Sequence, residues 1–570
     1  MRLLILLFLL AAAAFGCEGT VSQYVPAIVG NGGGLIEVSI SLAPGEGDVY
    51  AKTYPHTGMD TQQSMEQAVD YAYLLADDAP VCNVMFKFEE SAGYIEGPSG
   101  GAAFTVMTYA LLENRSMRSD AIITGTISPT GDVGPVGGTY EKAKGAAAVG
   151  ARYFITPVSG LYEALVLRNI EEESGIIVLE AARVEDIIGF MMENKSIEQV
   201  PLDARKREIP ELPSYEVPEL EPFIPVAERM IELERNITES ITGNDNETVV
   251  IREFYDNEAE RQDALLEQGY AFSSANEAFL NYIDIGTIAA ISKNSIDLPR
   301  KKGEVGICLT GIERPDMTDV NFEWIVGSRL REAWAYGKYN DTEIEGLLTD
   351  EKYAAYHELM YGDAWCNVAK SLIAEAPEGG SRINETVWKE LAEEKIDEAG
   401  KMASKKDMLS RLEIAEKSFD KGYYGAAIFD AVYVIEMERS DLDIINEAVT
   451  EDNVEEMLDE ERTSLWGAVY QSHAAFLYEI GEINVAYTTL RLAKGLDRAV
   501  DEMKELLEEE PEEAVEEIEM QEETDNILLG AFIISLFLFI IVIILIRRAY
   551  GSERKRYGKA NRAKQKKGRA

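Results

Sequence analysis

Only four of the 570 residues are cysteine and only three are histidine. Cys17, Cys82, Cys308 and Cys366 contain no Cys-x-x-Cys pair, which excludes a zinc ribbon and a thioredoxin-type redox centre. If Cys17 is lipidated or lost, three cysteines remain, and a Cys308–Cys366 bridge and buried free thiols are both open readings. His56, His357 and His473 show no metal-ligand spacing, and no His-Glu-x-x-His string occurs, so a zinc peptidase is excluded. A Gly-x-x-x-x-Gly-Lys-Ser/Thr phosphate loop is also missing: Gly400-Lys401 runs on to Met402, and Gly558-Lys559 to Ala560. The expectation is therefore chemistry with no metal, no organic cofactor and no nucleotide-driven step.

Positive charge is scarce too. Lys and Arg number 54 against 102 Asp and Glu, for a net charge of −48. Eleven of the basic residues lie in the last 24 positions, opposed only by Glu553, so the remainder is more acidic still. Such a surface repels nucleic acid and other polyanions and suits a cation-rich medium. Ile527 to Ile546 is a run of twenty apolar or small residues without a charge, long enough to cross a hydrocarbon core. Glu522, Glu523 and Asp525 precede it, and Arg547 and Arg548 follow, which places the basic tail (547–570) in the cytoplasm and the rest outside. At the other end, Arg2 and the short apolar stretch Leu3 to Phe15 read as a secretory signal over 1–17, cut near Gly16 or kept as an anchor. Cys17 could then carry a lipid. Six Asn-x-Ser/Thr triplets, at Asn114, Asn194, Asn236, Asn246, Asn340 and Asn384, fit an exported chain. Asn114 is the least suited to modification among them.

Between the ends, residues 24–205 alternate strand and helix patterns, as an α+β domain does. Ile36, Val38, Ile40 and Leu42 alternate with Glu37, Ser39 and Ser41, a half-buried strand. Strands are also predicted over 83–88, 121–127, 153–155 and 175–179, and helices over 102–112 and 141–150. Five prolines, Pro210, Pro213, Pro218, Pro222 and Pro225, make 206–225 a stiff extended linker. From 226 to 505 the pattern is helical: Leu412, Ala415 and Phe419 share one face, and Val469, Phe476 and Ile480 another. Turns at Gly422 and Gly481 resemble those of tetratricopeptide hairpins, though their separation is not that of a regular array. An acidic stalk is predicted over 506–526.

Two short segments carry the chemistry. Ser99 sits in Glu96-Gly97-Pro98-Ser99-Gly100-Gly101, a glycine-rich turn entering a helix, and Lys142 follows Gly137-Gly138-Thr139-Tyr140-Glu141 at another helix start. A serine hydroxyl needs a base to become a nucleophile, and a lysine is a base only when burial lowers its pKa; Ala143, Ala146, Ala147 and Ala148 can provide that apolar setting. Alone, each segment reads as an ordinary tight turn or a solvated helix residue. Together with 35–47, 64–76, 118–127, 131–142 and 150–157, in this order, they resemble the proteolytic domain of the Lon protease family from about Val29 to about Pro201. The resemblance implies that Ser99 is the nucleophile and Lys142 its general base, with Thr124 orienting the lysine and Glu96 and Gly100 in support. The family usually carries Asp in place of Glu96 and Ala in place of Gly100. It also implies a peptide or unfolded-protein substrate and a homo-oligomeric ring, with a hexamer as one form.

The expected protein is thus a membrane-anchored, ATP-independent serine peptidase facing outward, with a helical domain that recruits an unknown protein partner. Its fold class is a Lon-type α+β domain, an all-α domain with tetratricopeptide-like hairpins, and one C-terminal transmembrane helix. A non-catalytic surface scaffold and a self-processing protease are the alternatives.

Overall fold

A computed structural model describes residues 16–509 except 30–31, 53, 55, 77–78, 89–93, 96, 206, 208–209, 211–219, 244, 293–294, 348 and 447–448. The expected signal core, membrane span (527–546), basic tail, most of the acidic stalk and most of the proline-rich linker lie outside the described residues. Among the described residues, no helix is long and apolar enough to cross a membrane.

The first strands form a long hairpin, β1 (Thr20–Val29) and β2 (Gly32–Pro44), antiparallel with Val25 opposite Ile36. Ile36, Val38, Ile40 and Leu42 are buried while the intervening residues are not, so one face of β2 meets the core as the alternation requires. Next come β3 (Val49–Ala51), β4 (His56–Thr57) and α1 (Met59–Leu75), then β5 (Cys82–Phe88) and β6 (Tyr94–Ile95). β5 buries Cys82, Val84, Phe86 and Phe88 by the same period of two. The four-stranded sheet has the order β1-β2-β5-β3. α2 (Gly101–Leu112) lies against this core and buries residues all round, from Gly101 through Thr108.

The chain then forms β7 (Ala121–Ile123), β8 (Thr126–Ile127), β9 (Val133–Gly134), α3 (Thr139–Ala148), β10 (Tyr153–Pro157), α4 (Leu161–Ser174), β11 (Ile177–Ala181) and α5 (Val184–Glu193). β11, β10 and β7 make a parallel three-stranded sheet joined through helices. The α+β reading therefore holds, with one correction. The single strand predicted over 121–127 is two strands in two sheets, because the backbone turns at Gly125, where φ is +155°. A Cβ there would stand 2.5 Å from Val133 Cγ1, so the bend is open only to glycine.

The cysteines are a second correction. All four are paired, Cys17 with Cys82 and Cys308 with Cys366. Cys17 thus has no free sulfur for a lipid. Strand register explains the first bridge: Gly19 O accepts from Leu42 N, and Cys82 lies opposite Pro44 at the same end of the sheet, so residue 17 reaches Cys82.

The rest is helical: α6 (Ile224–Ser240), α7 (Asn246–Glu267), α8 (Ala271–Ser292), α9 (Leu298–Thr310), α10 (Phe322–Asp341), α11 (Thr349–Ala374), α12 (Lys389–Met402), α13 (Lys406–Asp420), α14 (Tyr424–Ile445), α15 (Glu451–Leu458), α16 (Leu465–Glu479) and α17 (Ile483–Glu509). Two compact units result. The first runs to Ile312 and includes Trp334–Ser371; the second holds Glu313–Ala333 and resumes at Leu372. In the first unit, Leu161 at the head of α4 is buried with Phe254, Tyr255, Ile285 and Ile288. In the second, Trp388 Nε1 donates to Met503 O and Trp466 Nε1 to Glu323 O, satisfying two buried indoles. Helix pairs α13/α14 and α16/α17 turn at Gly422 and Gly481, both at positive φ. Val469 and Phe476 are buried as expected, but Ile480 is 42% exposed because it ends α16 at the turn. Asn114 and Asn194 are both exposed and are the two non-glycine residues with positive φ among those described, each closing a helix. Asparagine tolerates that backbone, which gives both positions a local reason for their residue type.

Candidate active site

The serine turn is held from below by α1. Thr61 Oγ1 donates to Gly97 O at 3.2 Å and Ser64 Oγ to Pro98 O at 3.0 Å. Gly97 has φ +103°, and Gly100 caps α2. A methyl group on Gly100 would stand 2.5 Å from the ring of Phe104, which is buried edge-on against Phe86 and Phe88. An alanine at position 100 would have to displace that ring. Ser99 itself is half-buried at the head of the helix. Among the described residues, the backbone N–H groups of Ser99 and Gly100 have no acceptor, as expected for the first donors of a helix.

Thr124 and Gly125 lock this turn to the second sheet. Thr124 N donates to Ile155 O at 2.9 Å, continuing the β7–β10 ladder. Gly125 N donates to Ser99 O at 2.9 Å, and Ala102 N donates to Gly125 O at 3.0 Å. The Thr124 hydroxyl, fully buried, donates to Ser99 O at 3.3 Å. The hydroxyl expected to orient Lys142 thus holds the serine's own carbonyl, and no hydrogen bond joins it to Lys142 among the described residues.

Lys142 lies one turn into α3, which starts after Gly138 in the left-handed conformation (φ 65°). Its side chain is buried, with the residue 3% exposed. On the same helix, Ala143 and Ala146 pack with Ile122 of β7, the strand that leads to Thr124, and with Phe154 of β10. Burial lowers the Lys142 pKa from 10.5 to about 8, while Glu141 and Glu163 pull it back up. Lys142 Nζ forms no ion pair and no hydrogen bond with a described residue, so no bond to Ser99 Oγ is closed. Such bonds commonly tighten only with substrate in place. Glu163, on α4, is itself pushed up by burial, with the nearby Thr139 hydroxyl and Lys142 opposing the shift.

The structure thus joins Ser99 to Thr124 directly and relates Lys142 to both through the β7–β10 framework. Gly100 is at the turn, and Glu96 lies outside the described residues. Glu163 escaped the sequence reading because nothing in its spacing separates it from the many other glutamates. The loop from β8 to β9 was missed as well. Tyr71 Oη donates to Glu185 Oε1 at 2.6 Å, and Arg183 pairs with Glu185 and Asp132, which fixes residues 128–134 beside α1. Arg183, Thr130 and Ser128 hold the Asp132 carboxyl down at about 2. Gly131, at φ +88°, passes so close to Tyr71 that a Cβ would be 2.0 Å from its hydroxyl.

Residues 64–193 match the Lon protease (S16) C-terminal proteolytic domain family. The chain is similar to the peroxisomal Lon protease homolog 2 of Caenorhabditis elegans, 37% identical over 103 residues, which is 18% of this chain and 13% of that protein. It is also similar to the Lon protease of Phenylobacterium zucineum, 31% identical over 168 residues (28% of this chain, 20% of that protein). The Archaeal Lon protease of Archaeoglobus fulgidus is 24% identical over 177 residues, covering 30% of this chain and 27% of that protein. The chain therefore spans well under a third of the length of these relatives.

Proposed function

We propose, on the premise that this chain carries a Lon-family proteolytic domain, that it is a serine endopeptidase in which Ser99 and Lys142 form a nucleophile–base dyad. The observation that carries the reading is Lys142: a buried amine, with its pKa lowered to about 8, on a helix whose Ala143 and Ala146 pack against the strand that leads to Thr124. An amine so placed is partly neutral at physiological pH and can accept a proton, which a solvated lysine cannot do.

In the proposed reaction, neutral Lys142 takes the Ser99 proton as Oγ attacks a peptide carbonyl. The oxyanion of the tetrahedral intermediate is received by the N–H groups of Ser99 and Gly100 at the head of α2, each such donor being worth about 3–4 kcal/mol of transition-state stabilisation. Lysine then gives its proton to the leaving amine, and water, activated by the same amine, hydrolyses the acyl-enzyme. The Thr124 hydrogen bond to Ser99 O holds the nucleophile's backbone still during both steps.

The substrate class is peptides and unfolded protein segments. Without a phosphate-loop string, the chain lacks the sequence means to couple ATP to unfolding, which supports an ATP-independent activity. The uncharged run 527–546 and its basic flank support a single-pass anchor with both domains outside the cell. The helical hairpins at Gly422 and Gly481 are read as tetratricopeptide-like and as the part that recruits a protein partner, and protomers are read as forming a ring.

Hydrolysis of an unstructured peptide by the full chain in detergent, compared with Ser99→Ala and Lys142→Ala, tests the reading. Activity in the parent alone supports it. Equal rates in all three chains refute it and leave the scaffold alternative.

A further inference from the structure

A cavity of about 720 Å³ lies within the first compact unit, beside the turn that delivers Lys142. One wall is the start of α3 (Gly138 to Glu141) with the start of α4 (Gly160 to Glu163). The facing wall comes from α7, α8 and α11, chiefly Phe254, Asp284, Tyr353 and His357. Lys142 and Ser99 are not among its lining residues.

Its charges do not balance. The two arginines that reach it are already neutralised: Arg205 by Glu180, and Arg207 by Glu258 and Glu277. Glu358 is neutralised by Lys338. What remains is negative. Glu141 and Glu163 form no ion pair with a described residue and share the single nearby cation Lys142, and Asp284 has the His357 ring at 3.1 Å. Both Glu163 and Asp284 are held above the usual carboxylate range by burial, which outweighs the opposing pull of Lys142 on Glu163 and of His357 on Asp284. Around them stand aromatic rings: Tyr140, Tyr162, Tyr353 and Phe254. Tyr162 and His357 are stacked, with centroids 4.8 Å apart and planes 10° from parallel, so the pair presents a flat, rigid surface. Carboxylates set among aromatic faces are the two features that recognise an organic cation.

We propose that this cavity is a second polypeptide-binding site, distinct from the serine turn, that takes an arginine or lysine side chain flanked by apolar residues. The cation sits against Glu163 and Asp284, and the neighbouring apolar groups lie on the aromatic wall. The inference deepens the peptidase reading, on which it rests for the polypeptide class of ligand. It predicts that segments with a basic residue at a fixed distance from the cleaved bond are held best.

Calorimetric titration of the full-length Ser99→Ala chain in detergent tests it, since binding is then read without cleavage. The probes are acetyl-Leu-Arg-Tyr-amide, the same peptide with norleucine in place of arginine, and spermidine. The arginine peptide is expected to bind at least tenfold more tightly than either of the others. Adding Asp284→Asn, or separately Tyr353→Ala at the cavity wall, is expected to weaken it by a similar factor, with a thermal melt verifying that each variant is folded. Equal binding of the arginine and norleucine peptides overturns the proposal. So does spermidine binding as tightly as the arginine peptide, and so does binding that both wall substitutions leave unchanged. Failure of the peptidase reading would show separately, as absent hydrolysis by the chain with Ser99 intact.

Discussion

With Ser99 and Lys142 as the proposed dyad, the pH dependence of peptide hydrolysis follows from the burial of Lys142, and Glu163→Gln is the change that moves it. With a pKa of about 8, roughly one-tenth of the Lys142 side chains are neutral at pH 7; at the unperturbed 10.5 the fraction would be about one in three thousand. Burial is thus worth about 300-fold in active base at that pH. The value of kcat/KM is expected to rise about tenfold per pH unit below 8 and to level off above it. Glu163 bears on Lys142 by raising its proton affinity. Removing that carboxylate lowers the Lys142 pKa and shifts the acidic limb to lower pH. The gain at pH 7 has a ceiling of about tenfold, where the lysine is already fully neutral. Steady-state kinetics of parent and Glu163→Gln from pH 5 to 10 decide the matter. An acidic limb centred near 6.5, the ordinary value for histidine, would refute a lysine base. A limb that moves to higher pH in Glu163→Gln would refute the electrostatic reasoning.

The same buried amine makes a stability prediction. Below pH 8 both folded and unfolded chains hold the Lys142 proton, and the fold bears the full desolvation cost of about 3 kcal/mol implied by the shift from 10.5 to about 8. Lys142→Met should therefore stabilise the first unit by up to about 3 kcal/mol at pH 7, with the gain fading as pH rises from 8 towards 10.5, as read from denaturant melts at several pH values. Gly131→Ala, at φ +88° and with its methyl driven onto Tyr71, should cost about 2 kcal/mol or more in the same melts and loosen the Tyr71–Glu185 contact. Cys17→Ser opens a bridge spanning 65 residues and should lower stability by about 4 kcal/mol on loop entropy; a melt unchanged from that of the parent would refute the pairing.

Much of the site was legible in residue order. Hydrophobic alternation in β2 and β5 is a local property, set by which side of a strand each side chain leaves, so the sequence displays it directly. Ser99 and Lys142 stand in glycine-marked turns before helices, and local backbone rules were enough to place both at helix starts. The break at Gly125 was not legible, because its cause is Val133, eight residues on and in contact only once β8 and β9 pair. The hydrogen bond from Thr124 to the Ser99 carbonyl depends on how two sheets meet, and no spacing encodes that.

The chain by itself determined the kinds of element and most of their order, and it set Ser99 and Lys142 at helix starts, since each follows from the covalent sequence and short-range sterics. Only the folded molecule decided the pairing of Cys17 with Cys82, the lowered proton affinity of Lys142 and the company Glu163 keeps. These are consequences of burial and of contacts between residues far apart in the chain, and neither desolvation nor a distant charge leaves a mark on the residues that will feel it.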